Sequence, residues 1–361
     1  MTSRFSRRDF AVGATLGAMA AGASALEAEA AATPTADYDA FAVPAGSKQF
    51  TYVNVVRNDA VSVDVPVGVV NGREEGPTVA VTGGIFSTEF CGIEAASRLY
   101  RDLDPRRTAG RVLIVPVVNM PGFQFRTPAF NLSSGNNPID GKSVNTMFPG
   151  DPNGTVSQVI AHFVFDKLVS RANYFIDLRG GDLPEDHLVH TMFAVAGSEQ
   201  VQQVSRDMAL ACGFDYHQAR GQRPGSLWWE ACSAGIPSII TQSGLGYKTQ
   251  PEEELIENHV RGVTNVMKNY GMLAGSPNVA ERQRELSSEF VVIKATESGV
   301  FHATGTPGDR MRRGDAIGKV TNLDGSVGEE IRTERGGVLH TYFVRRVVMK
   351  GDTVAYVVPF A

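Results

Sequence analysis

The chain has 361 residues, of which 42% are hydrophobic and 20% charged, so it is long enough for two domains with real cores. Its formal net charge of −5, with no basic run, gives nucleic acid no electrostatic footing. Past the first 30 residues no apolar stretch reaches the roughly 18 residues a membrane-spanning helix needs.

In chain order, Ser6-Arg7-Arg8-Asp9-Phe10 has the form of a twin-arginine export signal, and an Ala/Gly-rich run to Leu26 follows it. Ala28-Glu29-Ala30 offers small residues for cleavage, so residues 1–30 are expected to be a signal peptide and the protein periplasmic or secreted. Residues 31–48 read as a linker. Gln49 to Val70 alternates apolar residues as an antiparallel strand pair does. Thr78–Thr82 reads as a buried strand, and Gly92–Leu103 as a helix with Ile93, Ala96, Leu99 and Tyr100 on one face. Arg111–Val118 is a second buried strand, followed by a Gly/Asn/Pro-rich loop from Gln124 to Asn153, a length that usually signals function.

Val156–Val169 is amphipathic. Strands are expected at Tyr174–Leu178, Met192–Ala196 and Gly235–Thr241, with helices at Glu199–Cys212 and Pro251–Met272. This alternation predicts an α/β domain over 49–285 with a mixed, mostly parallel sheet and flanking helices. From Phe290 onward short strands and Gly-Asp turns replace helical spacing, which predicts a small all-β domain over 286–361. Cys212 and Cys232 could pair as a disulfide, or all three cysteines could be small buried hydrophobes.

Four places carry the chemistry. Gly84-Ile85-Phe86-Ser87-Thr88-Glu89 follows the first buried strand, where a ligand crevice opens in such sheets. Asp140-Gly141-Lys142-Ser143-Val144-Asn145-Thr146-Met147-Phe148-Pro149-Gly150 lies in the long loop. Asp177-Leu178-Arg179-Gly180-Gly181 and Thr241-Gln242-Ser243-Gly244 end two further strands. Together, and with Gly308–Val320 in the C-terminal segment, they resemble the succinylglutamate desuccinylase/aspartoacylase family, relatives of the zinc carboxypeptidases. The resemblance implies a zinc-carboxypeptidase-like fold and, in ordinary members, a zinc site. Its ligands would be a His at Phe86, Glu89 and a His at Arg179. The resemblance also implies a substrate-binding Arg at Thr146 beside Asn145, and a general-base Glu at Gln242.

Phenylalanine has no lone pair for a metal, a guanidinium repels one, and glutamine cannot titrate. No zinc is therefore expected at the family's place. Yet Glu89, Asn145, Arg179, Asp182 and Gln242 are all polar, and such a cluster is costly to bury unless something satisfies it. The expectation is a remade site for an anionic small molecule or polysaccharide. The favoured reading is β-elimination on a uronate polymer; the alternatives are an amide hydrolase with a rebuilt metal site and a ligand-binding pseudoenzyme. Glu89, Arg179, His187, His190 and Tyr247 are the catalytic candidates, and Arg126, Asn145, Asp182 and Gln242 the substrate-binding ones. His187 and His190 would share a face on a helical turn but oppose each other on a strand. Trp228-Trp229 could be a sugar platform or packing. Arg179 could form an ion pair with Glu89 in place of the metal, or turn outward to clamp a carboxylate.

Overall fold

The computed structural model describes residues 33–35, 38–125, 135–182, 185–245, 252–343 and 347–361. The expected signal peptide, Arg126 and Tyr247 lie outside them. The strands are β1 (Thr33–Pro34), β2 (Ser47–Arg57), β3 (Ser62–Asn71), β4 (Glu74–Thr82), β5 (Ala109–Val115), β6 (Tyr174–Arg179), β7 (Glu185–Ala194), β8 (Tyr216–Arg220) and β9 (Ser238–Leu245). There follow β10 (Arg284–Leu286), β11 (Val291–Lys294), β12 (Gly299–Ala303), β13 (Arg310–Met311), β14 (Ala316–Thr321), β15 (Val327–Arg332), β16 (Gly337–Phe343), β17 (Val347–Val348) and β18 (Thr353–Val358). The helices are α1 (Phe90–Asp102), α2 (Met120–Gln124), α3 (Val156–Lys167), α4 (Glu199–Cys212), α5 (Leu227–Ser233) and α6 (Glu253–Asn269).

One mixed sheet runs in the order β1-β2-β3-β5-β4-β6-β9-β7-β16-β18-β11. Its centre, β5-β4-β6-β9, is parallel. Successive side chains of a strand point to opposite faces, and the core divides accordingly. Val79 and Val81 of β4 pack with α1, α4 and α6, while Ala80 between them packs with α3 and α5. α1 buries Cys91, Ala95, Ala96 and Leu99, one helical stripe. Ser198 caps α4 by accepting from the Val201 N–H, and Gly213 ends it at φ +86°, in the left-handed region glycine favours.

Three sequence expectations change. Residues 38–46 are not a free linker: Ala40 and Val43 are buried in the core, and Asp39 pairs with Arg171 at 2.8 Å. Cys212 and Cys232 are free thiols in different core clusters on opposite faces of the sheet, which forbids the disulfide. The C-terminal segment is all β as expected, but only part of it stands apart. Strands β15-β14-β12-β17 form a separate antiparallel sheet, whereas β16, β18 and β11 continue the main sheet beside β7. Among the described residues no helix is long and apolar enough to cross a membrane.

Candidate functional site

The site lies at the carboxyl ends of β4, β6 and β9. Thr82 and Asp177 are register partners on β4 and β6, and Arg179 and Gln242 are partners on β6 and β9. Glu89 stands at the N-terminal boundary of α1, so the strand-to-helix turn aims it at the end of β6. Arg179 Nε donates to Glu89 Oε2 at 2.8 Å, and its Nη1 donates to Asp177 Oδ2 and to Asn145 Oδ1, each at 3.3 Å. Nη2 has no hydrogen-bond partner among the described residues. The guanidinium carbon lies 4.5 Å from the centre of the Phe86 ring, a cation–π contact. Arg179 is thus the inward ion pair, with one side of its fork left over.

This trio carries two carboxylates and one guanidinium, all buried. Burial raises the Glu89 carboxyl, and although Arg179 pulls it down, it is pushed up to about 8. Burial likewise raises Asp177, again against the pull of Arg179. Burial works against the guanidinium, but Glu89 and Asp177 outweigh it and hold Arg179 charged. One cation balances one carboxylate, so the other keeps its proton in the neutral range.

The donor set does not fit a zinc at the family's place. The two histidine positions hold a phenyl ring and a guanidinium, and Glu89 is already taken by the latter. Among the described residues no group of three His, Cys, Asp or Glu is arranged to hold a metal.

A cleft of about 410 Å³ opens over the trio. Asn145, Asp182, His187 and Gln242 line it, as the sequence suggested. Gln242 Nε2 donates to Gly180 O at 2.9 Å, and Thr88 donates to Asp182 at 2.7 Å. Gly181 shapes the turn beneath: a Cβ there would lie 2.0 Å from Glu185 O. His190 does not reach the cleft. Both histidines sit on β7, a strand rather than a helical turn, with a register shift between them, and His190 is fully buried. Trp228 is buried in the core and meets the cleft wall, closer to packing than to an open sugar platform.

Sequence reasoning missed Glu185, Arg220 and Arg223, which also line the cleft. Arg220 ends β8 and stacks on Phe290 at 4.6 Å. Burial, then the charge of Arg223, lowers its pKa. Neither arginine has an acidic partner among the described residues. Arg223 opens a turn that packs on the Asn145 loop: Phe148 N donates to Gly225 O at 3.0 Å, and a Cβ on Gly225 would meet Thr146 O at 2.6 Å. The turn that Arg223 opens therefore packs on Thr146, the place where the resemblance puts the family's arginine. The only local signal was two arginines three residues apart on a Gly/Pro-rich turn, which has no period to read.

The family model of the succinylglutamate desuccinylase/aspartoacylase catalytic domain matches residues 75–270, over half of the chain. The chain belongs to this family. Its members include amide hydrolases. Among its relatives is N-alpha-acetyl-L-2,4-diaminobutyric acid deacetylase of Halomonas elongata, 29% identical over 303 residues, 82% of this chain and 86% of the relative. A succinylglutamate desuccinylase/aspartoacylase structure from Rhodobacter sphaeroides superimposes with TM-score 0.74 at 28% identity, covering 90% of this chain and 97% of that one. The product-bound ectoine utilization protein EutE (DoeB) of Ruegeria pomeroyi has TM-score 0.75 at 24% identity over 88% of this chain and 98% of its own, a likeness of fold.

Proposed function

We propose that this protein cleaves the amide bond of a carboxylate-bearing N-acyl compound, with Arg179 supplying the positive charge that zinc supplies in its relatives. The observation that carries this is the placement of Arg179, clasped by Glu89 at 2.8 Å and Asp177 at 3.3 Å with Nη2 left over. Charge develops on the acyl oxygen as the amide is attacked, and a preorganised donor in a buried site stabilises it. Arg179 Nη2 and the protonated Glu89 are two such donors. Arg220 and Arg223, cations without acidic partners among the described residues, take the substrate carboxylate, and a guanidinium can do so through two parallel bonds. An N-acyl amino acid combines both features, as does the substrate in the name of the Halomonas relative.

β-Elimination on a uronate polymer would use the same clamp with a base beside it. Glu185 and His187 stand on that wall, which keeps this second reading in the test. Chelator-treated protein is incubated with N-acetyl-2,4-diaminobutyrate and N-acyl dicarboxylic amino acids, and amine release is measured. Release that ignores the chelator is expected, with KM raised about tenfold or more in Arg223→Met, the loss of one hydrogen-bonded charge contact. Release only after zinc is added would defeat the role given to Arg179. No amine, but new absorbance from a polyuronate, would replace hydrolysis by elimination.

A further inference from the structure

A line of hydrogen bonds runs from the cleft wall into the seam between β7 and β16. Glu185 Oε2 lies 3.0 Å from His187 Nε2, and His187 Nδ1 lies 2.9 Å from Thr341 Oγ1. Thr341 Oγ1 is 2.8 Å from His340 Nδ1, and His340 Nε2 is 3.3 Å from His190 Nε2. The line ends at His190 Nδ1, 2.9 Å from the carbonyl oxygen of Leu188.

A carbonyl only accepts, so His190 carries its hydrogen on Nδ1. His190 and His340 are buried, and burial holds both neutral: it lowers His190 to about 3 and His340 well below its usual value. In a neutral His190 Nε2 accepts, so His340 must donate from Nε2 and accept at Nδ1. The Thr341 hydroxyl therefore gives its one hydrogen to His340 and accepts from His187, which places a hydrogen on His187 Nδ1. A neutral His187 would then face Glu185 with a bare Nε2, acceptor against acceptor. The line closes only with one more proton between His187 and Glu185. The charged groups facing it are Glu185 on β7, Arg220 on β8, and Arg179 on β6, whose charge acts on Glu185. Burial works to raise the Glu185 carboxyl, but its bond to His187 and the nearby positive charges hold it below the usual range.

We propose that Glu185 and His187 form the proton-donating couple of the cleft, an imidazolium on a carboxylate, and that His340 and Thr341 are positioning residues that fix its proton. This assignment of the acid rests on the hydrolytic reading above. In that reaction the shared hydrogen leaves the couple as an N–H bond forms on the departing amine, and the couple is left as neutral His187 beside ionised Glu185. Water's proton then restores it, so atoms and charge balance over a turnover.

The proton count can be read without any substrate. In protein carrying ¹⁵N-labelled histidine, ring-nitrogen spectra at pH 7, assigned by single substitutions, should show His190 with Nδ1–H only and His340 with Nε2–H only. His187 should carry hydrogen on both nitrogens. In Glu185→Gln the side-chain amide can donate to Nε2, and His187 should become neutral with Nδ1–H. In Thr341→Val, which keeps the shape of the seam, His187 should lose its fixed double protonation while His190 keeps its tautomer. A wild-type His187 with a single hydrogen, or a His190 with hydrogen on Nε2, would overturn the assignment. If the spectra agree but Glu185→Gln turns over N-acyl substrate as fast as wild type, the couple is not the acid. If they agree and wild-type protein turns over none, the hydrolytic reading fails while the proton placement stands.

Discussion

At the residue scale the decisive feature is a buried guanidinium where the resemblance puts a histidine ligand. A dication can hold Glu89 and neighbouring donors from its centre, whereas a guanidinium must hold them from its edges. Hence the geometry here is a fan: Glu89 on Nε, Asp177 and Asn145 on Nη1, and the Phe86 ring 4.5 Å from the guanidinium carbon. Phe86 and Arg179, the two places where the resemblance puts histidines, thus read as one unit, since the ring covers the cation. Removing the cation leaves the one ionised carboxylate of the trio uncompensated, a loss typically of about 3–5 kcal/mol. Arg179→Met should therefore melt well below wild type. Adding Asp177→Asn to Arg179→Met removes the stranded carboxylate and should recover part of the loss. Calorimetry of both variants checks this; normal melting of Arg179→Met would deny the pair its structural weight.

At the scale of elements, the site depends on how closely α1 approaches β6. Gly92, one turn into α1, is the contact point: a Cβ there would lie 2.6 Å from Leu178 O, a backbone atom that cannot step aside. An ordinary Gly→Ala in a helix gains about 1 kcal/mol, but forcing a packed contact costs about 1–3 kcal/mol. Gly92→Ala should therefore destabilise, and because Glu89 rides at the start of the same helix, it should also weaken amine release. A variant more stable than wild type would show that α1 has room to move. The alternation of strands and helices was legible because each period is local, and Glu89, Arg179 and Gln242 could be picked out because they sit in recognisable phrases after strands, Asn145 because it sits in one in the long loop. The seam of β7 with β16 was not legible. It joins His190 to His340 across 150 residues, and no local pattern encodes which edge of a sheet a distant strand will extend. For the same reason the sequence does not decide between a helical turn and a strand for His187 and His190, and no local pattern marks Glu185.

At the scale of the whole molecule, the buried titrating groups set opposite slopes of stability with pH. His190 and His259 are lowered by burial to about 3 from an ordinary 6.5, and His340 is lowered well below it. A depressed histidine contributes stability that is complete above about 6.5 and is lost as pH falls, because the unfolded chain takes up protons the folded one refuses. Glu89 has the reverse sign. Raised from 4.5 to about 8, it contributes stability that is complete below about 4.5 and is lost as pH rises through about 8. Each unmatched proton is worth about 1.4 kcal/mol per pH unit. Between pH 4.5 and 6.5 the buried histidines act against Glu89, so stability rises with pH; between 6.5 and 8 they fall silent, and Glu89, together with the imidazolium proposed at His187, makes it decline. Unfolding free energy measured across pH 4.5–9 should therefore peak near pH 6.5. Glu89→Gln removes the Glu89 share from both sides: the alkaline decline should become shallower, and the acid slope steeper, each by about 1.4 kcal/mol per pH unit. If Glu89→Gln keeps the alkaline decline of wild type, Glu89 is ionised in the folded protein at neutral pH, and it cannot be the second donor to the acyl oxygen.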